Sequence, residues 1–584
     1  MNDSRNTFLA IAVSMVILLG WQYFFVPTTT PRPVAEQAVP PNAPVSSELP
    51  APGPPGTAQN SPPGAVPSPG GAITPERETI VAQQKRVRIE TPRLHGSISL
   101  TGLKFDDVTL ANFHEQPDKA SPEITLLSPA NAPKPYYIEQ GWLSADPNLK
   151  LPTGATVWTI ENPDATLNDT TPLVARWDNG DGLRFTRTIH ADRDFLFTVE
   201  QTVENASGRA VTLFPYSLIA RLDTPATQGF YILHEGPLGV FNRTLKEVKY
   251  GDFEKKPQER VESTGGWIGI TDKYWLTAVA LDPSMKISAN FSHSKSGERD
   301  RYQTDLRGDA ITIAAGASHS AKDYVFAGAK EVRLLDRYAE NPGIARFDLA
   351  VDWGWFYFLT KPFFYALLWL REVIGNFGLG ILAFTTGLRL LMFPIANKQF
   401  AAMNKMKLLQ PQMKVLQERY ANDRPKLNAE LMELYKRETA NPLAGCLPIL
   451  IQIPIFFALY KVLFVTIEMR HAPFYGWIKD LSAPDPTNLF TAFGLIPYDP
   501  PSFLHLGALP IIMGATMWLQ QKLAPQPPDP IQARMMMMLP LVFTFMLASF
   551  PAGLVIYWTW SNLLGILQQW ALMRNDPAAK KATV

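Results

Sequence analysis

The sequence is poor in cysteine, in net charge and in catalytic motifs. Its 584 residues include one cysteine, Cys446, which excludes an intrachain disulfide. The 54 basic and 53 acidic residues leave a formal net charge of +1, so no overall positive charge favours binding to DNA. We find no metal-ligand spacing, no nucleophile elbow and no phosphate-binding loop. We therefore expect no cofactor, no bound metal and no enzymatic activity.

The N-terminus combines an apolar run with a proline-rich stretch. Arg5 precedes an apolar run that ends in aromatic residues and Pro27, without a small-x-small cleavage site. We therefore expect residues 1–26 to form an uncleaved transmembrane anchor. Residues 27–75 are mainly Pro, Ala, Gly and Ser and predict an extended linker, because they cannot bury a core.

Residues 76–345 show a repeated alternation of apolar and polar side chains. The stretch DFLFTVEQTVEN alternates through Phe195, Phe197 and Val199. In RWDNGDGLRF, the pair Asn179-Gly180 predicts a tight turn between two strands. Many short strands separated by turns predict an antiparallel β-sandwich, which we interpret as a scaffold or binding domain.

The chain from residue 350 onward is rich in long apolar segments. Five of them fit membrane crossings, at residues 377–396, 442–466, 506–523, 535–550 and 554–572. Together with the N-terminal anchor they predict six spans. The loop at 397–440 is rich in Lys and Arg, which places it in the cytoplasm. Both termini, including the short tail at 573–584, then lie in the cytoplasm, and residues 76–345 lie on the other side.

Residues 350–374 interrupt this series of spans. They are rich in aromatic side chains, but Lys361-Pro362 breaks the apolar run and Arg371-Glu372 closes it. A further crossing here would put the basic loop on the wrong side of the membrane. We therefore expect an amphipathic helix that lies along the outer membrane surface.

The basic loop at 397–440 has helical periodicity of its own. Its apolar residues recur at spacings of three and four, at Met403, Met406, Leu409, Met413, Leu427, Leu431 and Leu434. Pro425 separates the two groups. The pattern predicts a helical hairpin in the cytoplasm, which is either a docking element or a solvated linker.

Arg389 lies well inside a predicted span, in the stretch FTTGLRLLMFPIANKQF. An arginine at the centre of a membrane helix costs about 2.5–3.5 kcal/mol, so its presence needs an explanation. One explanation is that the side chain extends toward the cytoplasmic interface near Lys398, about 13 Å along the helix. The other is that it faces a wet cavity between helices. No acidic residue occurs at a comparable depth to neutralise it.

Other side chains with polar groups occur at a similar depth and favour the cavity. They are Thr385, Gln452, Thr516, Gln520, Tyr557, Trp558, Ser561 and Asn562. Thr385 lies one helical turn before Arg389, and Thr516 and Gln520 share a helix face. The set predicts a polar groove that binds something transient, either anionic or polar.

Several long motifs resemble the YidC family of membrane protein insertases. They are the basic hairpin, NPLAGCLPILIQIPIFFALY, RLLMFPIANKQF and FPAGLVIYWTWSNLLGILQQ. The resemblance covers residues 350–572, and the anchor, linker and β-domain match the longer Gram-negative form. It implies a polytopic α-helical protein of the bacterial inner membrane, with six spans and a five-helix insertase core at 375–572. It also implies that residues 76–345 form a periplasmic β-supersandwich and that residues 350–374 form an interfacial helix.

The resemblance implies an insertase that delivers nascent inner-membrane proteins to the lipid bilayer and helps them fold, alone or with the Sec translocon and its accessory subunits. In such a protein Arg389 projects into a hydrophilic groove open to the cytoplasm and to lipid. Thr385, Tyr557 and Trp558 match positions along which an incoming segment slides, and Thr516 and Gln520 match the polar lining. The 397–440 hairpin would be a mobile receiving element and a candidate for contact with the ribosome.

Two other functions are compatible with parts of the sequence. A solute transporter could use Arg389 to bind an anionic substrate, although no internal repeat pairs the spans. An intramembrane enzyme would need Cys446 as its nucleophile, and no histidine lies within a predicted span to activate it. The segment at 488–510 is longer than expected and has no assigned role.

Overall fold

The computed structural model describes residues 76–162, 165–227, 233–420, 423–438, 447–496, 501, 505–523 and 530–575. The predicted anchor at 1–26, the linker at 27–75, Cys446 and most of the predicted tail lie outside these residues.

Residues 76–329 form a short helix followed by two antiparallel β-sheets. The helix is α1 (Arg77–Ala82), and the strands are β1 (Arg86–Glu90), β2 (Leu94–Ser99), β3 (Lys104–His114), β4 (Glu123–Leu127), β5 (Tyr136–Ser144), β6 (Thr159–Ile160), β7 (Leu173–Asp178), β8 (Leu183–Ala191), β9 (Leu196–Asn205), β10 (Val211–Leu222), β11 (Gly236–Phe241), β12 (Thr244–Glu247), β13 (Gln258–Thr264), β14 (Trp267–Thr271), β15 (Trp275–Ala280), β16 (Lys286–Ser296), β17 (Arg299–Gly308), β18 (Ile311–Ile313) and β19 (Ser318–Ala329). The first sheet has the order β1-β2-β3-β5-β10-β17-β16-β13, with β4 paired to β3 and β18 paired to β10. The second has the order β12-β11-β14-β15-β19-β9-β8-β7-β6.

The two sheets pack face to face, as the alternation predicts. Phe197 and Val199 of β9 are fully buried, and the ring of Phe197 lies 5.1 Å from that of Phe105 on β3 in the other sheet. The predicted turn joins β7 to β8 across residues 179–182, where the Asn179 side chain accepts hydrogen bonds from the backbone N–H groups of Asp181 (2.8 Å) and Leu183 (2.9 Å). Gly180 has φ +76°, a conformation that glycine adopts without steric cost. The β-sandwich predicted from the sequence is therefore confirmed.

The sandwich also buries a polar network that the alternation does not predict. Nη2 of Arg187 donates to the side-chain oxygen of Gln201 and to the backbone oxygen of Gln140, each at 2.9 Å. Nε2 of Gln201 in turn donates to Oδ2 of Asp323 at 2.6 Å. Burial raises the pKa of Asp323 from its usual 3.8 to about 7, because it disfavours the charged carboxylate. Charged and amide groups thus occupy positions that a simple apolar core would fill.

Helices follow the β-domain from residue 332 onward. They are α2 (Val332–Glu340), α3 (Tyr357–Ile374), α4 (Phe377–Leu391), α5 (Phe393–Arg419), α6 (Arg424–Arg437), α7 (Leu447–Val465), α8 (Ala508–Leu523), α9 (Pro530–Met546) and α10 (Ala552–Asn575). Short 3-10 turns occur at Tyr250–Glu254, Phe347–Ala350, Ile467–Met469, Leu489–Gly494 and Leu547–Ser549. Measured over the described residues alone, each of these helices is too short or too polar to cross a membrane.

Several helix boundaries differ from the predicted segments. The segment predicted at 377–396 is divided at Met392, where α4 ends and α5 begins with Pro394 in its first turn. Proline has no N–H to donate, which favours a helix start at this point. The segment predicted at 535–550 begins earlier, at Pro530, and ends at Met546 before a 3-10 turn.

Helices α5 and α6 pack against each other in the region predicted to form a hairpin. Leu409 and Met413 of α5 and Leu434 of α6 form a buried cluster. Residues 421 and 422 between the two helices lie outside the described ranges.

An ion pair and hydrogen bonds join the β-domain to one end of the helical region. Nζ of Lys461, near the end of α7, lies 2.7 Å from Oδ2 of Asp352, which also accepts from the backbone N–H of His234 in the β-domain at 3.1 Å. Arg470, just beyond α7, donates from Nη2 to the backbone oxygen of His114 at 2.6 Å. The end of α7 and the loop that follows it are therefore on the side of the helices that faces the β-domain.

Candidate functional site

A cleft with about 500 Å³ of empty space, including the part open to solvent, lies among helices α4, α5, α7 and α10. Its walls combine polar and apolar side chains. The lining residues are Thr385, Leu388, Arg389, Met392, Ile395, Ala396, Gln452, Tyr557, Ser561 and Gln568. Four residues predicted from the sequence, Thr385, Arg389, Gln452 and Tyr557, therefore meet in one cleft.

Arg389 is held by a neighbouring helix through neutral groups. Its Nη2 donates to the hydroxyl of Ser561 at 2.8 Å and to the backbone oxygen of the same residue at 3.0 Å. Within the described ranges, Arg389 forms no ion pair with a carboxylate. A guanidinium has five N–H donors, and these two hydrogen bonds leave most of them for a group that enters the cleft.

A glycine on α10 allows polar side chains from two other helices to approach the same point. A Cβ atom placed on Gly565 would lie 2.9 Å from Nε2 of Gln520 and 3.7 Å from Nη2 of Arg389. Gln520 of α8 and Arg389 of α4 thus converge on the same point of α10. The predicted residue Gln520 is therefore close to Arg389 although it is not part of the cleft lining.

A second polar contact joins α7 to α10. Nε2 of Gln452 donates to the hydroxyl of Tyr557 at 3.2 Å. Tyr557 is buried, and its hydroxyl keeps its own proton for donation. Thr385, by contrast, uses its hydroxyl within its own helix, where it donates to the backbone oxygen of Ile381 at 2.7 Å. The hydroxyl proton of Thr385 is therefore not available to a ligand, and the side chain contributes only a small surface to the cleft wall.

Three of the predicted residues lie in helix packing rather than in the cleft lining. Asn562 donates from Nδ2 to the hydroxyl of Thr516 at 3.3 Å, and both side chains are buried between α8 and α10. The ring of Trp558 packs 4.9 Å from Phe456 and 5.3 Å from Phe543. Thr516, Asn562 and Trp558 therefore fix the positions of α7, α8 and α9 around α10.

One cleft residue, Gln568, was not singled out from the sequence, whereas Ser561 was noted there as a polar residue of the last predicted span. Tyr557, Ser561, Gly565 and Gln568 recur on α10 at spacings of four, four and three, so the helical period could have identified Gln568. Nε2 of Gln568 is buried and has no hydrogen-bond partner among the residues that the structure describes. A buried donor without an acceptor is costly, and a ligand with acceptor groups would satisfy it.

The cleft is suited to reversible binding. Its available polar atoms are mainly donors: the guanidinium of Arg389, the amide of Gln568 and the hydroxyl of Tyr557. Such donors complement backbone carbonyl groups and carboxylates. In the described ranges, no group of three or more His, Cys, Asp or Glu side chains is arranged to hold a metal ion.

Comparison with known proteins identifies relatives over nearly the whole chain. Residues 86–366 match the YidC periplasmic domain, and residues 369–580 match the family of the 60Kd inner membrane protein. The chain is 48% identical to proteins named membrane protein insertase YidC from Methylobacterium radiotolerans and Methylorubrum extorquens. These alignments cover 98% of this chain and 95% and 96% of the two relatives.

A solved structure is also similar. It is described as an active YidC insertase with its first transmembrane domain resolved, and it shares 17% sequence identity with this chain. The match covers 83% of this chain and 93% of that chain, with a TM-score of 0.35. On the sequence identity to its relatives and the matches of both domains, the chain belongs to the YidC family of membrane protein insertases.

Proposed function

We propose that this chain inserts nascent proteins into the bacterial inner membrane and that the cleft around Arg389 receives the polar flank of the incoming segment. The observation that carries the proposal is the environment of Arg389. Its side chain lines a cleft between helices and is hydrogen-bonded to Ser561, and no carboxylate among the described residues forms an ion pair with it. The relatives favour an insertase over a solute transporter. The family is one of insertases, not of enzymes.

The proposed membrane arrangement has six spans. The N-terminal segment at 1–26 and the predicted segments at 377–396, 442–466, 506–523, 535–550 and 554–572 cross the bilayer, both termini lie in the cytoplasm and the β-domain lies in the periplasm. Exposed apolar side chains on α8 and α9 support this arrangement, since lipid is the environment that suits them. They include Ile512, Leu519, Leu541, Val542 and Phe545.

The free energy for insertion comes from the incoming segment itself. Burial of apolar surface contributes roughly 25 cal/mol per Å², so an apolar helix gains free energy when it enters lipid. The barrier is the polar flank that must cross with it. A hydrated cleft lowers this barrier because the flank stays solvated for part of the path, and the donors of Arg389 and Gln568 bind its acceptor groups.

A short span near the cleft would lower the same barrier further. Helix α9 has 17 residues, about 26 Å at 1.5 Å per residue, whereas the hydrocarbon core is about 30 Å thick. A helix shorter than the core thins the bilayer around it. The polar flank then has a smaller thickness of hydrocarbon to cross.

The proposed partners are nascent inner-membrane proteins, the lipid bilayer and the Sec translocon with its accessory subunits. Helices α5 and α6 support a receiving role in the cytoplasm, because they pack on each other through Leu409, Met413 and Leu434 and form an arm of their own. The same arm is the proposed site of contact with the ribosome.

Crosslinking of a stalled nascent chain tests the proposal. A photo-crosslinking amino acid replaces Leu388, which lines the cleft, or His190, which is exposed on the β-domain and serves as the control. We expect a ribosome-bound single-span substrate to crosslink to position 388 and not to position 190. Equal crosslinking at both positions, or none at position 388, would contradict the proposal.

A further inference from the structure

The loop between α7 and α8 carries an apolar tip that the proposed insertion path does not use. Residues 486–498 contain no charged side chain. The tip exposes the apolar side chains Leu489, Phe490, Phe493, Leu495 and Ile496. Leu495 is 86% exposed and its neighbour Ile496 is 52% exposed, which is unusual for consecutive large apolar residues. A contiguous exposed apolar segment of this kind indicates a contact surface.

Hydrogen bonds hold the tip in a defined shape. The backbone N–H of Leu489 donates to the backbone oxygen of Leu506 at 2.8 Å, which closes the base of the loop. The backbone oxygen of Asn488 accepts from the N–H of Phe493 at 2.8 Å. The side-chain oxygen of Asn488 accepts from the N–H of Phe490 at 3.0 Å. The apolar side chains are therefore presented in a fixed arrangement.

The loop is attached to the end of the helical region that faces the β-domain. Oδ2 of the buried residue Asp485 accepts from the backbone N–H of Leu509 at 2.7 Å, in the first turn of α8. The backbone oxygen of Ala483 accepts from the N–H of Ala552, at the start of α10, at 2.8 Å. Arg470 in the same connection contacts the β-domain. In the proposed arrangement the tip is thus at the periplasmic end of the spans.

The length of α8 places this loop at the level of the membrane surface. Helix α8 has 16 residues and is about 24 Å long, about 6 Å less than the hydrocarbon core. Residues next to its start must therefore lie near the boundary between acyl chains and head groups. Tyr475 and Trp477 are exposed in the same connection, and the indole N–H of Trp477 donates to Asp485 at 3.1 Å. Exposed Tyr and Trp side chains are typical of this boundary.

We infer that the apolar tip at 489–496 inserts into the outer leaflet of the bilayer and anchors the start of α8 to the lipid surface. The inference rests on the proposed function for the placement of α8 across the membrane. It commits to lipid as the partner, because the tip lacks charge and adjoins a span whose exposed side chains, such as Ile512 and Leu519, are themselves apolar.

Fluorescence quenching in the full-length chain tests this inference. Cys446→Ala removes the one native cysteine, so that a single introduced cysteine carries an environment-sensitive fluorophore. The labelled positions are Leu495→Cys at the tip, Leu519→Cys on α8 and Asp181→Cys in an exposed turn of the β-domain. Each protein is reconstituted into phosphatidylcholine nanodiscs with or without brominated acyl chains, and aqueous iodide is added in a parallel series.

We expect brominated lipid to quench the probes at 495 and 519 at least twofold, and iodide to quench only the probe at 181. Quenching of the 495 probe by iodide as strongly as the 181 probe would overturn the inference. A 495 probe shielded from both quenchers would show a protein cover instead and would overturn it as well. If brominated lipid also fails to quench the 519 probe, the membrane placement of α8 in the proposed function fails too.

Discussion

Removal of the Ser561 hydroxyl should weaken insertion by changing the orientation of Arg389. In the folded chain that hydroxyl accepts from Nη2 of Arg389 at 2.8 Å, and the Ser561 backbone oxygen accepts from the same atom at 3.0 Å. Ser561→Ala removes the first acceptor and keeps the second. The guanidinium is then held by one hydrogen bond and can rotate away from the incoming segment.

The magnitude follows from the strength of such a hydrogen bond. A hydrogen bond to a charged group contributes about 1.5–3 kcal/mol, and the lower end applies because the backbone acceptor is retained. A change of about 1.4 kcal/mol in the barrier corresponds to about tenfold in rate. We therefore expect Ser561→Ala to lower the initial rate of insertion by about tenfold.

A double-mutant cycle separates this effect from general damage to the helix. The rate of insertion of a single-span substrate into proteoliposomes is measured for Ser561→Ala, Arg389→Ala and the double variant. Because the hydroxyl acts through Arg389, Ser561→Ala should have no further effect once Arg389 is removed. Thr559→Val is the matched control, since the hydroxyl of Thr559 donates to the backbone oxygen of Val555 in the same helix at 2.8 Å. Independent, multiplicative losses from the two substitutions would refute this account of Ser561.

Three further predictions concern the cleft, the packing of α8 and the β-domain. Gln568→Leu removes a buried donor without a partner, so it should leave the melting temperature unchanged or raise it while insertion slows several-fold; a fall in both would assign Gln568 to structure alone. Gly514→Ala would place a Cβ atom 2.0 Å from the hydroxyl of Thr544 on α9, and we expect a lower melting temperature that Thr544→Ala partly restores; no change from Gly514→Ala would contradict the close packing. Burial raises the pKa of Asp323 from 3.8 to about 7, so the folded state binds a proton that the unfolded state releases above about pH 4. Stability should therefore fall as the pH rises from 5 to 8, and Asp323→Asn should reduce that fall in thermal unfolding experiments; an identical pH dependence in the variant would refute the shifted pKa.

The sequence predicts those parts of the fold that depend on local patterns. Alternation in β9 and the Asn179-Gly180 pair predict the sandwich and one of its turns, because the side-chain period of two and the left-handed glycine are local properties. The buried network around Arg187 and Asp323 is not predictable in this way. Alternation indicates which side chains face inward, but it does not reveal that Arg187 and Asp323, on different strands, are linked through the side chain of Gln201.

The candidate site was predictable in part for a similar reason. Arg389, Thr385, Gln452 and Tyr557 stand out because polar groups are rare in apolar segments, and the fold brings them together in one cleft. Ser561 is recognisable from the sequence as a polar residue of the last predicted span, but its hydrogen bond to Arg389 emerges only from the fold. Gln520 and Arg389 converge at Gly565 because a glycine has no side chain to occupy that space. Such close approaches between helices depend on how the helices pack and cannot be predicted from the sequence of one helix alone.

Insertion by the purified chain alone tests the central claim most directly. A purified small single-span protein is added without nucleotide to liposomes that contain only this chain, and protection of the translocated flank from protease is measured. We predict protection above that of empty liposomes, a marked loss with Arg389→Ala and a smaller loss with Arg389→Lys, because lysine retains the positive charge but not the planar donor group. Protection no greater than in empty liposomes would contradict autonomous insertion, and equal protection by all three proteins would contradict the role assigned to Arg389.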